Sequence, residues 1–379
     1  MEIIKRDHCV ISEKEDFELL YSFKDFPVFV GCVDQPLEKD IKADMNWWIS
    51  RSTGNIQLNP LIPPEILYSQ SHGSGSVGEL WRRHHLEFAH LICKYSSDYV
   101  LEIGGGHGIL AQNCLQIKPN LHWTIVEPNP TVPANAQIKV VKRLFDETFI
   151  IDKNVDTIVH SHVLEHIYEP NQFMSQISRN LERGKNLLFS VPNLQIMMQR
   201  KYTNCINFEH TVFLTEPFIE YILQHNGFKI KEKRYFLDDH SIFYAAIRDD
   251  AAKGIAQMPD EYSRNKQAYM DYIQYHSDLI KELNQKMSNQ ENNVYLFGGH
   301  IFSQYLLKFG LDQSRIQCLL DNDPHKHNKR LYGTNMIVYS PKILKDVKNP
   351  VVILRAGVFN NEIKKDILEN INHEVVFWE

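Results

Sequence analysis

The chain has 379 residues, 43% of them hydrophobic and 23% charged, and a formal net charge of −6 at pH 7. This composition predicts a soluble globular protein of two or three domains. The negative balance, without a long basic run, argues against nucleic acid as a partner, and no apolar stretch reaches membrane-spanning length. Six scattered cysteines without a C-x-x-C pair, behind a start that lacks a secretory pattern, indicate reduced thiols in a cytoplasmic protein.

The first 75 residues hold five prolines and only short apolar pieces. This pattern predicts a small N-terminal lobe, residues 1–75, built from short strands and turns. A polar loop rich in serine and glycine follows over 69–76, and residues 77–95 then show the apolar spacing of a helix.

A glycine-rich turn after the first buried strand organises the middle of the chain. Residues 99–103 are an apolar run, glycines follow at positions 104, 106 and 108, and a helical pattern begins at 109. Glycine lets the backbone lie against a ligand, and the helix start leaves N–H groups that can hold polar ligand atoms. Glu102 precedes the first glycine by two residues. Glu127 ends the next strand, where a doubly wound fold places its ribose-binding carboxylate.

Strand and helix patterns alternate from residue 98 to residue 248, which predicts an α/β fold with a doubly wound parallel sheet. The predicted parallel strands are 99–103, 122–126, 138–141, 155–160 and 186–191. Two later strands, 228–236 and 241–248, are predicted to form an antiparallel hairpin at the sheet edge. The predicted units are therefore the N-terminal lobe (1–75), a sheet domain (76–248), a connecting helix (249–292) and a second, smaller Rossmann-like α/β domain (293–379).

Titratable side chains follow the strand at 155–160, at the sheet edge where α/β proteins bind ligands. They are His162, Glu165, His166 and Tyr168. His162 and His166 also have the i, i+4 spacing of metal ligands on a helix. No third ligand is evident nearby, so we favour a cofactor pocket over a metal site.

The tandem Glu209-His210 is a second candidate for chemistry. Histidine exchanges protons near pH 7, and a neighbouring carboxylate can orient the ring or raise its basicity. The alternative is that the pair caps a helix predicted over 215–226. We favour catalysis over capping.

The segments E-x-G-x-G-x-G (102–108) and S-H-x-L-E-H (161–166), together with Glu127, resemble the cofactor site of class I S-adenosylmethionine (SAM) methyltransferases. The resemblance implies SAM as the cofactor, with Glu102 near its methionine amino group and Glu127 on its ribose hydroxyls. It also implies that the antiparallel hairpin closes a class I methyltransferase sheet. The residues it assigns to the cofactor are Glu102, Gly104, Gly106, Gly108, Glu127, Pro128, Phe145 and His162.

These segments are followed by F-E-H-x-x-x-L-T (208–215) and, in the C-terminal part, D-x-x-P-x-K (321–326). This order is similar to the sugar methyltransferases typified by the C-methyltransferases of deoxysugar biosynthesis. The similarity implies a sugar or nucleotide-sugar acceptor, with His210 as the base, Glu209 as its assistant and His166 as a further catalytic residue. The family also has a tyrosine that holds substrate, which corresponds to Tyr68, and our further candidates for the substrate are His72, Asn193 and Asn207. The sequence does not choose between carbon and oxygen methylation.

That family opens with a zinc lobe that uses two C-x-x-C pairs, and this chain departs from the pattern. Cys9 is paired with Ser12, and the second pair is replaced by Ser50 and Thr53. Hydroxyl groups are not zinc ligands of thiolate strength, so we predict a degenerate lobe without metal.

Three other functions compete with the sugar methyltransferase. One is a non-catalytic SAM-fold binding or scaffold protein, and another is a methyltransferase for a small molecule that is not a sugar. The third is an NAD-dependent enzyme that uses either glycine turn; the turn at Gly298-Gly299 lacks a third glycine at the expected step and has Asp321 as its only support. We interpret that turn as packing or as a phosphate contact.

Overall fold

The structure, a computed structural model, describes residues 3–67, 78–132 and 137–379. The N-terminal elements are β1 (Phe17–Pro27), β2 (Cys32–Val33), β3 (Lys42–Ser50), β4 (Ile56–Leu58), α1 (Pro64–Leu67) and α2 (Glu79–Tyr95). Strands β1, β3 and β4 form an antiparallel sheet in that order. Strand β1 is longer than the short pieces predicted. Two register shifts break its alternation of buried and exposed side chains, so its sequence lacks the pattern of one long strand.

The central elements follow the predicted alternation of strand and helix. They are β5 (Tyr99–Ile103), α3 (Ile109–Ile117), β6 (His122–Val126), β7 (Ile138–Val141), β8 (Thr157–Ser161), α4 (Pro170–Asn180), β9 (Asn186–Pro192), α5 (Leu194–Gln199), α6 (Glu216–His225), β10 (Phe228–Phe236) and β11 (Ser241–Arg248). Within the described residues they form a seven-stranded sheet in the order β10-β11-β9-β8-β5-β6-β7. Strands β5 to β9 pair in parallel, and the hairpin β10–β11 adds antiparallel to β9. The predicted mixed α/β fold is confirmed.

Helices cover both faces of this sheet, which is why its strands read as apolar runs. Val100 of β5 packs in a core with α2 and α3, where Phe88 and Leu110 are buried. The next residue, Leu101, points to the opposite core, which Phe173 of α4 shares with α6. The side-chain alternation of a strand therefore divides β5 between two cores.

A long helix and a second α/β domain complete the chain. The elements are α7 (Tyr262–Ser288), β12 (Val294–Phe297), α8 (Ile301–Lys308), β13 (Ile316–Leu320), β14 (Arg330–Leu331), β15 (Val338–Tyr339), β16 (Val351–Leu354), α9 (Asn360–Asn370) and β17 (Val376–Trp378). The order β15-β13-β12-β16-β17 is parallel throughout. Of the helices in the described ranges, none pairs enough length with enough hydropathy to cross a membrane.

The N-terminal lobe is bound to the second α/β domain. Strand β2 pairs with β14, and the Arg330 guanidinium donates to both carboxylate oxygens of Asp40 at 2.5 and 2.6 Å. Helix α7 begins against the lobe at Gly54, where a Cβ would lie 2.3 Å from the backbone of Glu261. One apolar core joins the lobe to α5, α7 and α8. The two ends of the chain therefore fold together.

Candidate active site

The turn between β5 and α3 brings backbone close to acidic side chains at the carboxyl edge of the sheet. Gly104 has φ +79° and Gly108 has φ +68°, so both occupy the left-handed region that favours glycine. A Cβ at Gly105, a position that the alternating glycine pattern omitted, would lie 2.5 Å from the carboxyl carbon of Glu102. Gly105 is therefore required for the carboxylate to lie directly under the turn.

Glu102 is buried and shifted toward the neutral form. The indole N–H of Trp123 donates to its Oε2 atom at 2.7 Å. Burial raises the pKa of Glu102 to about 7, the indole hydrogen bond opposes this shift, and the charge of Glu127 adds to it. A cation placed beside this carboxylate would recover the ionised form.

A second group of titratable side chains lies after β8 and before α6. A carboxylate oxygen of Glu165 and ring nitrogens of His166 and His210 lie within 4.8 Å of one another. The rings of His166 and His210 meet edge to face at 5.0 Å, and the Nδ1 atom of His166 lies 3.8 Å from Oε2 of Glu209. The tandem Glu209-His210 thus meets the end of β8, as its candidate role requires.

The environment of His210 keeps its ring neutral. The pKa of His210 is lowered to about 4, mainly by burial and also by His166, while Glu165 and Glu209 act in the opposite direction. Burial also raises the pKa of Glu165 above its ordinary value, against the pull of the two imidazoles. The ring of His210 is therefore unprotonated at neutral pH, and the two acidic side chains lie where they would balance a positive charge on it.

Backbone contacts to the N-terminal lobe hold this segment in place. The Asn207 Oδ1 atom accepts from the N–H groups of Glu209 and His210 at 2.7 and 2.8 Å. The next residue, Thr211, accepts at its carbonyl from Leu58 N–H at 2.9 Å, so the segment adds to β4. The buried Arg6 guanidinium donates to the same carbonyl at 3.1 Å. Neither partner in the lobe is detectable from local sequence spacing.

Comparison with known proteins identifies two segments. Residues 77–233 match the family model of a methyltransferase domain. This part of the chain is a SAM-dependent methyltransferase domain. Residues 245–377 match the model of a C-methyltransferase C-terminal domain. The prediction of a methyltransferase with SAM as its cofactor is confirmed. No protein with a curated description matches the chain by sequence.

Solved structures are similar to less than half of the chain. An O-methyltransferase family protein from Burkholderia thailandensis is 13% identical with a TM-score of 0.36, over 44% of this chain and 57% of that protein. The N-methyltransferase NodS from Bradyrhizobium japonicum is 16% identical with a TM-score of 0.36, over 46% of this chain and 99% of its own. Magnesium protoporphyrin IX methyltransferase from Synechocystis, with bound SAH, is 16% identical with a TM-score of 0.36, over 47% of this chain and 90% of its own. At these TM-scores none assigns an acceptor to the methyltransferase.

The edge of the sheet fits the SAM cofactor of the methyltransferase. A Cβ added to Gly106 would stand 4.0 Å from Oε2 of Glu127, so the glycine leaves the approach to that carboxylate open. The other oxygen of Glu127 accepts from Asn129 N–H at 2.9 Å, two residues beyond the half-buried Pro128. Backbone amides, one carboxylate for an ammonium group and one for hydroxyls are the donor and acceptor set that SAM requires.

His162 differs from the sequence-based interpretation. Its φ is +53°, and the following turn over residues 164–166 is a short 3₁₀ helix, so the α-helical i, i+4 relation to His166 does not exist. His162 instead approaches Ser241, with Nε2 at 2.9 Å from Oγ, while His166 faces His210. The expected helical spacing was wrong, because His162 has a left-handed backbone conformation at the end of β8 and no α-helix joins it to His166.

The remaining predicted site residues have structural contacts. Phe145 packs against Phe149 and Phe173, with ring centroids 5.4 and 5.7 Å away. The Asn193 side chain caps α5 and donates to the Asp238 carbonyl at 2.9 Å. Tyr68 and His72 lie outside the described residues.

The turn at Gly298-Gly299 is closed by an acidic side chain. Asp321 Oδ2 accepts from Gly299 N–H at 2.8 Å and lies 3.0 Å from Lys326 Nζ. The carboxylate thus joins the turn to the loop after β13 and neutralises a lysine. These contacts agree with the interpretation of this turn as packing.

The four positions that correspond to the zinc ligands of the similar family come together in the lobe. Cys9 Sγ lies 3.6 Å from Thr53 Oγ1. Ser52 bridges the other two positions, with its Oγ atom 3.3 Å from Ser50 and 3.4 Å from Ser12. Contacts between hydroxyls and one thiol thus fill this location, and a lobe without metal stays a prediction.

Proposed function

We propose that the methyltransferase transfers a methyl group to a carbon atom of a sugar or nucleotide-linked sugar, with His210 as the general base. The group formed by Glu165, His166, Glu209 and His210 carries this proposal, since it combines a neutral imidazole with two carboxylates. The match of residues 245–377 to a C-methyltransferase C-terminal domain supports carbon as the methylated atom.

In this proposal the turn after β5 and the end of β6 hold the cofactor. Bound SAM supplies a methyl group that its sulfonium centre makes electrophilic. The backbone of Gly104, Gly106 and Gly108 gives it close approach, Glu102 receives its ammonium group, and Glu127 receives its ribose hydroxyls. Pro128, Phe145 and His162 are assigned to the walls of the same pocket.

His210 would remove the proton that carbon methylation requires. A carbon beside a ketone becomes a nucleophile only after it loses a proton, and a neutral imidazole can take that proton. The positive charge that forms on the ring is balanced by Glu165 and Glu209, whose charges already raise the pKa of His210 against the effect of burial. His166 lies between these groups and orients Glu209, while Asn207 fixes the backbone of the tandem.

The experiment is incubation of the full chain with SAM and a panel of nucleotide-linked keto-sugars and hydroxy-sugars, followed by mass spectrometry and NMR of the products. We expect a C-methyl product from a keto-sugar. In D₂O without SAM, we also expect exchange of the hydrogen beside the ketone. An O-methyl product would refute carbon methylation, and products only from acceptors that are not sugars would refute the sugar assignment.

The base is tested by His210→Asn. Turnover should fall by about two to four orders of magnitude, while SAM affinity measured by calorimetry stays unchanged. His225→Asn, on the exposed face of α6, is the matched control and should retain full activity. Equal turnover of the two variants would exclude His210 as the base.

A further inference from the structure

A second group of histidines lies beside the proposed active site, and two of its three members, His84 and His240, have no role in the proposed reaction. His84 comes from α2, His162 from the end of β8 and His240 from the turn before β11. One ring nitrogen from each lies within 4.8 Å of one from the other two. The sequence separates these residues widely, so no local spacing predicts their meeting.

His84 is a fully buried polar side chain, and neither of its ring nitrogens has a hydrogen-bond partner among the residues that the structure describes. A buried imidazole without partners is costly, and a metal ion is one of the few ligands that would satisfy it. Its ring lies 5.2 Å from that of His162 and 5.4 Å from that of His240, between centroids. His84 therefore faces the other two candidate ligands.

His162 and His240 converge on one point. The Nε2 atom of His162 lies 2.9 Å from Ser241 Oγ, and the Nδ1 atom of His240 lies 2.6 Å from the same oxygen. The other nitrogen of His162, Nδ1, lies 3.1 Å from Oε1 of the buried Glu165. A histidine that binds metal through one nitrogen commonly donates the other N–H to a carboxylate, which fixes its tautomer and raises its basicity.

We propose that His84, His162 and His240 form a binding site for a divalent transition metal of the zinc type, with an open fourth position. Neutral imidazoles are the form that binds metal, and burial lowers the pKa of His162 and of His240 to about 3. Three nitrogens bound to a tetrahedral zinc ion lie about 3.4 Å from one another. Side-chain movements that shift the ring nitrogens by about an ångström would therefore bring the three rings into position.

The surroundings of the three rings suit a metal site. The indole of Trp81 covers them, with its centroid 5.1 Å from His84, 5.0 Å from His162 and 4.9 Å from His240. This apolar cover limits water access. On the other side, Glu165 contacts both His162 and the group that contains His210. The ion would therefore tie α2 to the sheet and sit one carboxylate away from the proposed base.

The test uses the full-length protein, stripped with a chelator and titrated with Zn²⁺ by calorimetry and with Co²⁺ by visible absorption. We expect one equivalent of Zn²⁺, a tetrahedral Co²⁺ spectrum, and an affinity reduced at least 100-fold in His84→Gln and His240→Gln. His90→Gln changes an exposed histidine on the same helix and should bind as the unmodified chain does. If circular dichroism shows that His84→Gln does not fold, the Zn²⁺ affinity of His240→Gln, whose substitution lies in a turn, provides the same test.

Ser241→Ala provides a second measurement, because it removes the hydroxyl that now stands between two of the rings. It should leave the stoichiometry at one and keep the Co²⁺ spectrum. Absence of Zn²⁺ binding by the stripped chain would overturn the proposal. So would binding that survives in both His84→Gln and His240→Gln, or that is lost instead in His166→Gln, which alters only the other group. None of these results bears on the acceptor of the methyl group.

Discussion

The pKa of Glu102 makes SAM affinity depend on pH in a predictable direction. Burial raises this pKa to about 7, so the carboxylate is largely protonated at pH 6 and largely ionised at pH 8. In the proposed pairing, only the ionised form of Glu102 binds the ammonium group of the cofactor. With about one tenth ionised at pH 6 and about nine tenths at pH 8, affinity should be about tenfold weaker at the lower pH, or about 1.4 kcal/mol.

The measurement is calorimetric titration with SAM at several pH values between 6 and 8. His162 and His210, whose pKa values burial lowers to about 3 and about 4, do not titrate in this range. Glu102→Gln keeps an acceptor for the indole of Trp123 but cannot ionise, so its affinity should be lower and independent of pH. Methylthioadenosine, which lacks the ammonium group, should bind the unmodified chain equally at both ends of the range. A flat profile for SAM would refute the pairing of its ammonium with Glu102.

Two further substitutions test how the site is held. Gly105→Ala should abolish SAM binding and lower the stability of the fold by about 1–3 kcal/mol in urea unfolding, because its Cβ would overlap a buried carboxyl group. Gly254→Ala, which meets no atom within 4 Å, should do neither. Arg6→Met should cost about 2–3 kcal/mol by the same assay and reduce turnover more than SAM affinity, since it removes the guanidinium hydrogen bonds to the carbonyls of Thr211, next to the proposed base, and of Tyr168. Arg6→Met with unchanged turnover would show that the lobe does not position the base.

The parallel strands were predictable because each is a short run rich in apolar residues. The bounds of β5, β6 and β7 agree with the predicted 99–103, 122–126 and 138–141. Strand β1 could not be predicted in this way, because its bulges interrupt the period of two residues that identifies a half-buried strand. Local pattern therefore predicted the sheet domain better than the lobe.

The sequence predicted only those contacts of the candidate site whose residues are close together along the chain. Glu102 and the glycines meet because they are neighbours in sequence, but the role of Gly105 depends on where the Glu102 side chain turns. His84 and His240 were absent from the predicted site, since their proximity arises only when α2 and the β10–β11 hairpin cover the same sheet edge. Arg6 was missed for the same reason: its partners are backbone carbonyls far along the chain.

The link between β2 and β14, with the Arg330–Asp40 pair beside it, limits how this enzyme can be recombined with its relatives. A chimera that exchanges only the C-terminal third would leave a buried aspartate facing whatever the donor carries at position 330, and an unpaired buried charge is strongly destabilising. Exchanges that transfer the first 67 residues together with the C-terminal third keep both partners. In such hybrids the two ends of the chain are inherited together, as one structural unit.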